Sequence, residues 1–230
     1  MENFKTDFEK TLKNNNFSEK EIAFKNINAK EFSSHGFPNR KNEDWKFSDL
    51  NQIIKREIGE LNFFNEKSEK SEIDKEIFLN QIEHNKLVFI NGQLAHTDFN
   101  SEDKNKIEFL DNQNNMEEQS AENSLINLNN ALTNKSFKLL IRKNYQIKNP
   151  LIIYHTSNNK LTSQNTNLKI NFELEENSSL KLIDLVCDKG NKNLINIFYN
   201  FSLDKNSILK NYKIDQFENN NIRYMFNEIK

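Results

Sequence analysis

Few residues in this chain have the chemistry of a reaction centre, and their spacing sets limits at once. There is a single cysteine, Cys187, so internal disulfides and any metal site built from several thiolates of this chain are excluded. The four histidines, His35, His84, His96 and His155, are scattered, and no local cluster has zinc-ligand spacing. A general acid or base needs a partnered, pKa-tuned group in a cleft, and no motif announces one. Taken singly, these residues have structural readings. Cys187 follows Leu185-Val186 near the end of an alternating stretch, where a thiol can face inward as a small hydrophobe, with a metal-ligand role as the alternative. His155 closes an apolar strand and reads as a hydrogen-bonded structural histidine rather than a ligand. His35 falls in the last turn of an expected helix, where positive charge favours the dipole. Trp45, close to Pro38, reads as a packing anchor, with a partner contact as the alternative. Arg40 with Glu43 or Asp44 brings guanidinium and carboxylate within one turn, which charge-assisted hydrogen bonds would lock.

Composition narrows the class of protein. Leu, Ile, Val and Phe number 66 of 230 residues, enough to bury a core. Asn (42) and Lys (28) are abundant while Gly (4) and Pro (2) are scarce, a bias that reads as genome composition before protein chemistry. Runs such as Asn14 to Asn16 and Asn219 to Asn221 are therefore read as loops rather than prion-like segments. The net charge of -2 and only four arginines among 32 basic residues leave no basic footprint for nucleic acid. No apolar stretch approaches the ~20 residues that span a bilayer, and Met1 to Lys10 has no signal-peptide core, so a soluble, cytoplasmic protein without a membrane partner is expected.

The elements that must position these residues change character along the chain. Ser18 with Glu21 forms a capping box, and Ile22, Phe24, Ile27 and Phe32 share one broad helical stripe. Gly36 supplies a helix-terminating position, and Pro38 disfavours helix at Phe37. A second helix is expected over Asp49 to Ile58, then a charged surface connection over Glu66 to Lys75. Leu87-Val88-Phe89-Ile90 followed by Asn91-Gly92 predicts a strand and hairpin turn. Ile107 to Phe109 reads as strand, Asp111 to Gln119 as loop and Glu122 to Leu132 as helix. Residues 1–135 are taken as an N-terminal helical, α+β domain.

Residues 136–230 contain an internal repeat. Ile170 to Asp184 aligned with Tyr199 to Lys213, at an offset of 29, gives seven identities in fifteen. A weaker copy matches Phe137, Leu139, Ile141, Asn144 and Ile147 to Ile170, Phe172, Leu174, Asn177 and Leu180 at an offset of 33. Each unit alternates apolar residues, turns through a polar segment containing Asn, and resumes alternation. Such units bury their faces against their neighbours, and short strands broken at one recurrent place fit the first coils of a right-handed parallel β-helix, so a mainly β second domain is expected. Counting 29 on from Tyr199 places the next coil at Glu228, with no evident cap in Phe217 to Ile229. The expectation is an incomplete stack: a fragment, a truncated frame, or one half completed by another chain.

The segment Gly36-Phe37-Pro38-Asn39-Arg40-Lys41-Asn42-Glu43-Asp44-Trp45-Lys46-Phe47-Ser48-Asp49-Leu50 resembles the N-terminal signature of the SufD family of iron–sulfur cluster assembly proteins, approximately G-[LF]-P-[TS]-R-[KR]-x-E-[DN]-W-[KR]-[YF]-[TS]-x-L. Phe37 and Asn39 stand where Leu and Thr are commoner, while Gly36, Pro38, Arg40, Glu43, Trp45 and Lys46 fit. Leu87 to Gly92, Leu125 to Leu132 and Asn149 to His155 resemble later landmarks of the same family in order. The resemblance implies a non-catalytic scaffold subunit that pairs with a SufB-like paralogue and a SufC-like ABC ATPase. The iron–sulfur cluster would be held only transiently by the full complex, with no cofactor bound by this chain alone. The family's proposed cluster-ligand histidine, its SufB-pairing late β-helix and its SufC-contacting segment match positions beyond Lys230, so no ligand is assigned and binding of the ATPase by this chain alone is not expected. Two other readings stand beside it: a carbohydrate-acting parallel β-helix enzyme, and an inactive truncated fragment. Fold alone does not separate them.

Overall fold

The structure is a computed structural model that describes residues 2–64, 73–111, 121–157, 161–215 and 221–230. Among the described residues four α-helices form: α1 (Glu2–Lys13), α2 (Glu19–His35), α3 (Leu50–Glu57) and α4 (Ser124–Leu132). The capping box at α2 is present, with Ser18 accepting from the Glu21 N–H and Glu21 reaching back to the Ser18 N–H. At its other end Gly36 takes φ +68°, a left-handed angle that side chains resist. Asp49 caps α3 through the Gln52 N–H. Sequence periodicity did not single out α1, whose Phe4 and Phe8, one turn apart, are both buried, Phe4 against Phe32 and Phe63 and Phe8 stacked on Phe4.

Among the described residues there are ten strands: β1 (Asn85–Ile90), β2 (Gln93–Asp98), β3 (Ile107–Asp111), β4 (Ser136–Ile141), β5 (Leu151–Thr156), β6 (Asn165–Leu174), β7 (Ser179–Val186), β8 (Leu194–Leu203), β9 (Ile208–Asp215) and β10 (Ile222–Ile229). They make two five-stranded sheets, ordered β2-β1-β5-β7-β9 and β10-β8-β6-β4-β3. Strand is about 38% of the described residues, and the mixed content of helix and sheet is compatible with a mainly β fold. Asn91 and Gly92, at φ +52° and +74°, turn the antiparallel β1–β2 hairpin as the dipeptide predicts. From β4 onward consecutive strands alternate between the sheets, and every pairing among them is parallel. The charged connection and polar loop expected over Glu66 to Lys75 and Asp111 to Gln119 lie outside the described residues, except at their ends.

The repeat offsets appear as strand register. Ile170 pairs with Tyr199 and Leu180 with Leu209, both at 29, while Phe137 pairs with Ile170 at 33. The polar turn of each unit holds Asn144, Asn177 and Asn206, all left-handed at φ +58° to +59°, a conformation that Asn tolerates better than most residues. Their amides stack, with Asn177 Nδ2 donating to Asn144 Oδ1 (2.9 Å) and Asn206 Nδ2 to Asn177 Oδ1 (3.0 Å). One expectation is corrected. The strand following β9 begins at Ile222 opposite Leu194, and Tyr199 faces Asn227, an offset of 28; Glu228 faces Asn200. Counting from Tyr199 started in the middle of β8 and so missed the first half of the strand.

Three apolar layers result. The two sheets face each other across a core that includes Leu87, Phe89, Ile153, Leu182, Phe172, Tyr199 and Phe201. Helices cover the outer face of the β6–β8 sheet, where Leu125, Leu128, Leu132 and Leu194 meet Phe4, Phe32 and Ile54. The opposite outer face, with Val88, Ile152, Tyr154 and Leu185, is covered by Ile73, Ile77 and Phe78. Asn129 of α4 points at the sheet and donates to the carbonyls of Leu168 (3.1 Å) and Asn196 (2.9 Å), and Asn196 Nδ2 donates back to the Leu125 carbonyl. Helix and sheet are thereby joined by hydrogen bonds as well as burial.

Candidate functional site

The segment that carries the family resemblance is a joint between elements. The Gly36 carbonyl accepts from Ser124 Oγ at the start of α4. The Pro38 carbonyl accepts from the Leu50 N–H (3.0 Å), which closes the loop onto the first turn of α3. Trp45 ends a short 3₁₀ segment, Glu43–Trp45, and half-buries its indole against Tyr224 of β10, ring centres 6.1 Å apart. Gly36, Pro38 and Trp45 therefore tie α2, α3, α4 and the last strand together.

Arg40, Glu43 and Lys46 are exposed, and the expected lock between Arg40 and Glu43 or Asp44 is not formed: no ion pair joins them among the described residues. The turn is held by asparagine instead. The Asn39 N–H donates to Asn42 Oδ1 (3.0 Å), the Lys41 N–H to Asn39 Oδ1 (3.0 Å) and the Asn42 N–H to the Asn39 carbonyl (2.9 Å). Short amide side chains reach their own backbone at little entropic cost, whereas the long Arg40 side chain stays in water.

The second grouping is inside the sheets. His155 (β5), Asp184 (β7) and Tyr199 (β8) come together in the core, with His155 Nε2 2.9 Å and the Tyr199 hydroxyl 2.7 Å from Asp184 Oδ1. The carboxylate accepts, so Nε2 carries the imidazole proton and the phenol donates its own. Burial, then the Asp184 charge, pushes the Tyr199 hydroxyl well above its ordinary range, so it remains a donor. Phe89 stacks on the imidazole, with ring centres 6.2 Å apart. The adjoining cavity, lined by His155, Thr166 and Asn167 among others, has about 20 Å³, room for a water and not for a substrate. His155 is thus a hydrogen-bonded core residue, as the sequence suggested.

Other buried polar groups serve the same purpose. Asp103 accepts from Tyr145 (2.6 Å), Asn85 (2.8 Å) and the N–H groups of Lys148 and Asn149. Burial alone would raise its pKa, but these donors outweigh it and hold the carboxyl below the usual carboxylate range. His84 Nδ1 donates to the Ile82 carbonyl (2.8 Å), so Nε2 accepts from the Tyr154 hydroxyl (2.7 Å); burial keeps the imidazole below its ordinary pKa and neutral. Lys25 on α2 donates to the Thr133 carbonyl (2.6 Å) and lies near those of Asn130 and Ala131, at the C-terminal end of α4. Burial drives its pKa down to about 7. The Cys187 thiol is buried and pushed up to about 11, the opposite of an activated thiolate.

Sequence reading named His155 but neither Asp184 nor Tyr199 as its partners. A signal existed: Asp184 continues the inward series Leu180, Leu182, and a carboxylate at an inward position needs a donor. Among the described residues no group of three or more His, Cys, Asp or Glu side chains is placed to hold a metal ion, and no helix is long and apolar enough to cross a membrane. No protein-family model matches the chain, and no curated protein matches it.

Proposed function

We propose that this chain is a non-catalytic, cytoplasmic scaffold subunit of an iron–sulfur cluster assembly complex of the SufD kind, pairing with a SufB-like paralogue and a SufC-like ABC ATPase, with the cluster as cargo of the complex. The observation that carries the reading is the placement of the signature segment. Its Gly36, Pro38 and Trp45 form the joint between the helices and the strand stack, which gives that motif a structural role of the kind a scaffold requires. A second support is the stacked turn asparagines and parallel register at 29 to 33 residues, which we read as successive coils of a right-handed parallel β-helix.

Co-expression with the SufB-like and SufC-like proteins encoded in the same genome tests this. A stable complex with the SufB-like paralogue, without polysaccharide cleavage by the isolated chain, is the expected result. Lyase or glycosidase activity, or no association with the paralogue, overturns it.

A further inference from the structure

Phe47 is the most exposed large apolar side chain among the described residues, at 86%. It does not sit on a loose loop. The Ser48 N–H donates to the Trp45 carbonyl (2.8 Å), closing a turn with Lys46 and Phe47 at its centre, and the Lys46 N–H donates to the Glu43 carbonyl (3.3 Å). The asparagine turn at residues 39–42, the Pro38–Leu50 bond and the Trp45–Tyr224 contact hold its base. Lys46 Nζ lies 5.1 Å from the centre of the Phe47 ring, a cation–π pair. Arg40, Lys41, Glu43 and Asp44 around it are exposed and have no ion-pair partner among the described residues.

We propose that the Lys46–Phe47 turn is a docking anchor for another protein, one whose surface offers an apolar socket rimmed by carboxylates. An aromatic ring held out on a hydrogen-bonded turn loses little freedom on binding, so most of its burial energy is retained. The ammonium over the ring enters the interface with it, and an ammonium taken from water without an anionic acceptor is costly. The socket must therefore supply carboxylates near the ring, with Arg40 and Lys41 adding attraction at the rim. Glu43 and Asp44 in the same loop weigh against an anionic membrane as the target, since lipid surfaces reward uninterrupted basic clusters. The inference does not depend on the scaffold reading.

The test replaces Phe47 with the photocrosslinker p-benzoylphenylalanine in the host cell, purifies the protein captured, and measures its affinity for wild type, Phe47→Ala and Lys46→Glu. Both positions changed, 46 and 47, are on the surface, and circular dichroism confirms that each variant is folded. Phe47→Ala is expected to weaken binding roughly 30-fold, as for an aromatic hot spot, and Lys46→Glu to weaken it at least about tenfold with a flatter salt dependence. Absence of a crosslinked protein overturns the proposal, as does a captured protein that binds Phe47→Ala as tightly as wild type. Capture of phospholipid alone, with Phe47-dependent binding to phosphatidylserine vesicles, overturns it in favour of a membrane.

Discussion

His155 and Asp184, 29 residues apart on neighbouring parallel strands, meet at 2.9 Å in the core, and Tyr199 from the facing sheet donates to the same carboxylate oxygen at 2.7 Å. One oxygen thus bridges the two sheets. The other, Asp184 Oδ2, is buried with no hydrogen-bond partner among the described residues. Asp184→Leu leaves an imidazole and a phenol without their acceptor and is expected to cost about 1–3 kcal/mol for each donor left unpaired, read in urea unfolding. The double variant His155→Leu/Asp184→Leu should cost less than the sum of the two single changes, because removing both partners spares the unpaired group.

The asparagine ladder combines a conformational demand with a hydrogen-bond demand, and two substitutions at Asn177 separate them. Asn177→Gly loses the ladder bonds but keeps φ near +58° at no steric cost. Asn177→Ala loses the same bonds and adds left-handed strain. The alanine variant is expected to be about 1 kcal/mol less stable than the glycine variant, measured by thermal or chemical denaturation.

Lys25 sets a pH dependence whose sign follows from its burial. Its pKa is about 7 in the folded chain and near 10.5 when unfolded, so between these values the unfolded state binds more protons. The stabilising contribution is complete above the unfolded value and is lost as pH falls from about 10.5 to 7, about 5 kcal/mol in all. Lys25→Met is expected to remove that slope: above about pH 10.5 it is about 2 kcal/mol less stable than wild type, because the α4 carbonyls lose their donor, whereas at pH 7 and below relief of the burial penalty exceeds that loss and the variant is the more stable. Denaturant unfolding of both proteins at a series of pH values checks both effects.

The signature segment divides into built-in and outward-facing residues, with opposite consequences. Trp45→Ala opens the contact with Tyr224 and is expected to cost about 2–3 kcal/mol, somewhat below a full Trp truncation because the indole is only half-buried. Arg40→Ala removes an exposed side chain that has no ion-pair partner among the described residues and should leave stability within about 0.5 kcal/mol of wild type. An equal loss from both would show that Arg40 is bound within the chain.

The features legible in the sequence were set by short-range physics. The capping box at Ser18, the glycine stop at Gly36 and the Asn91-Gly92 hairpin depend on hydrogen bonds and steric limits within a few residues. The offsets of 29 and 33 were legible because parallel stacking makes equivalent positions repeat side-chain type, and a left-handed turn restricts the choice to residues such as Asn. The tertiary structure alone decided which distant polar groups meet. Asp184 faces Tyr199 across two sheets, Asn129 reaches strand carbonyls from a helix, Lys25 caps a helix a hundred residues away, and Arg40 is left in water. Such contacts depend on which faces pack and at what register, and a polar side chain carries no local mark of the partner that burial will require it to find.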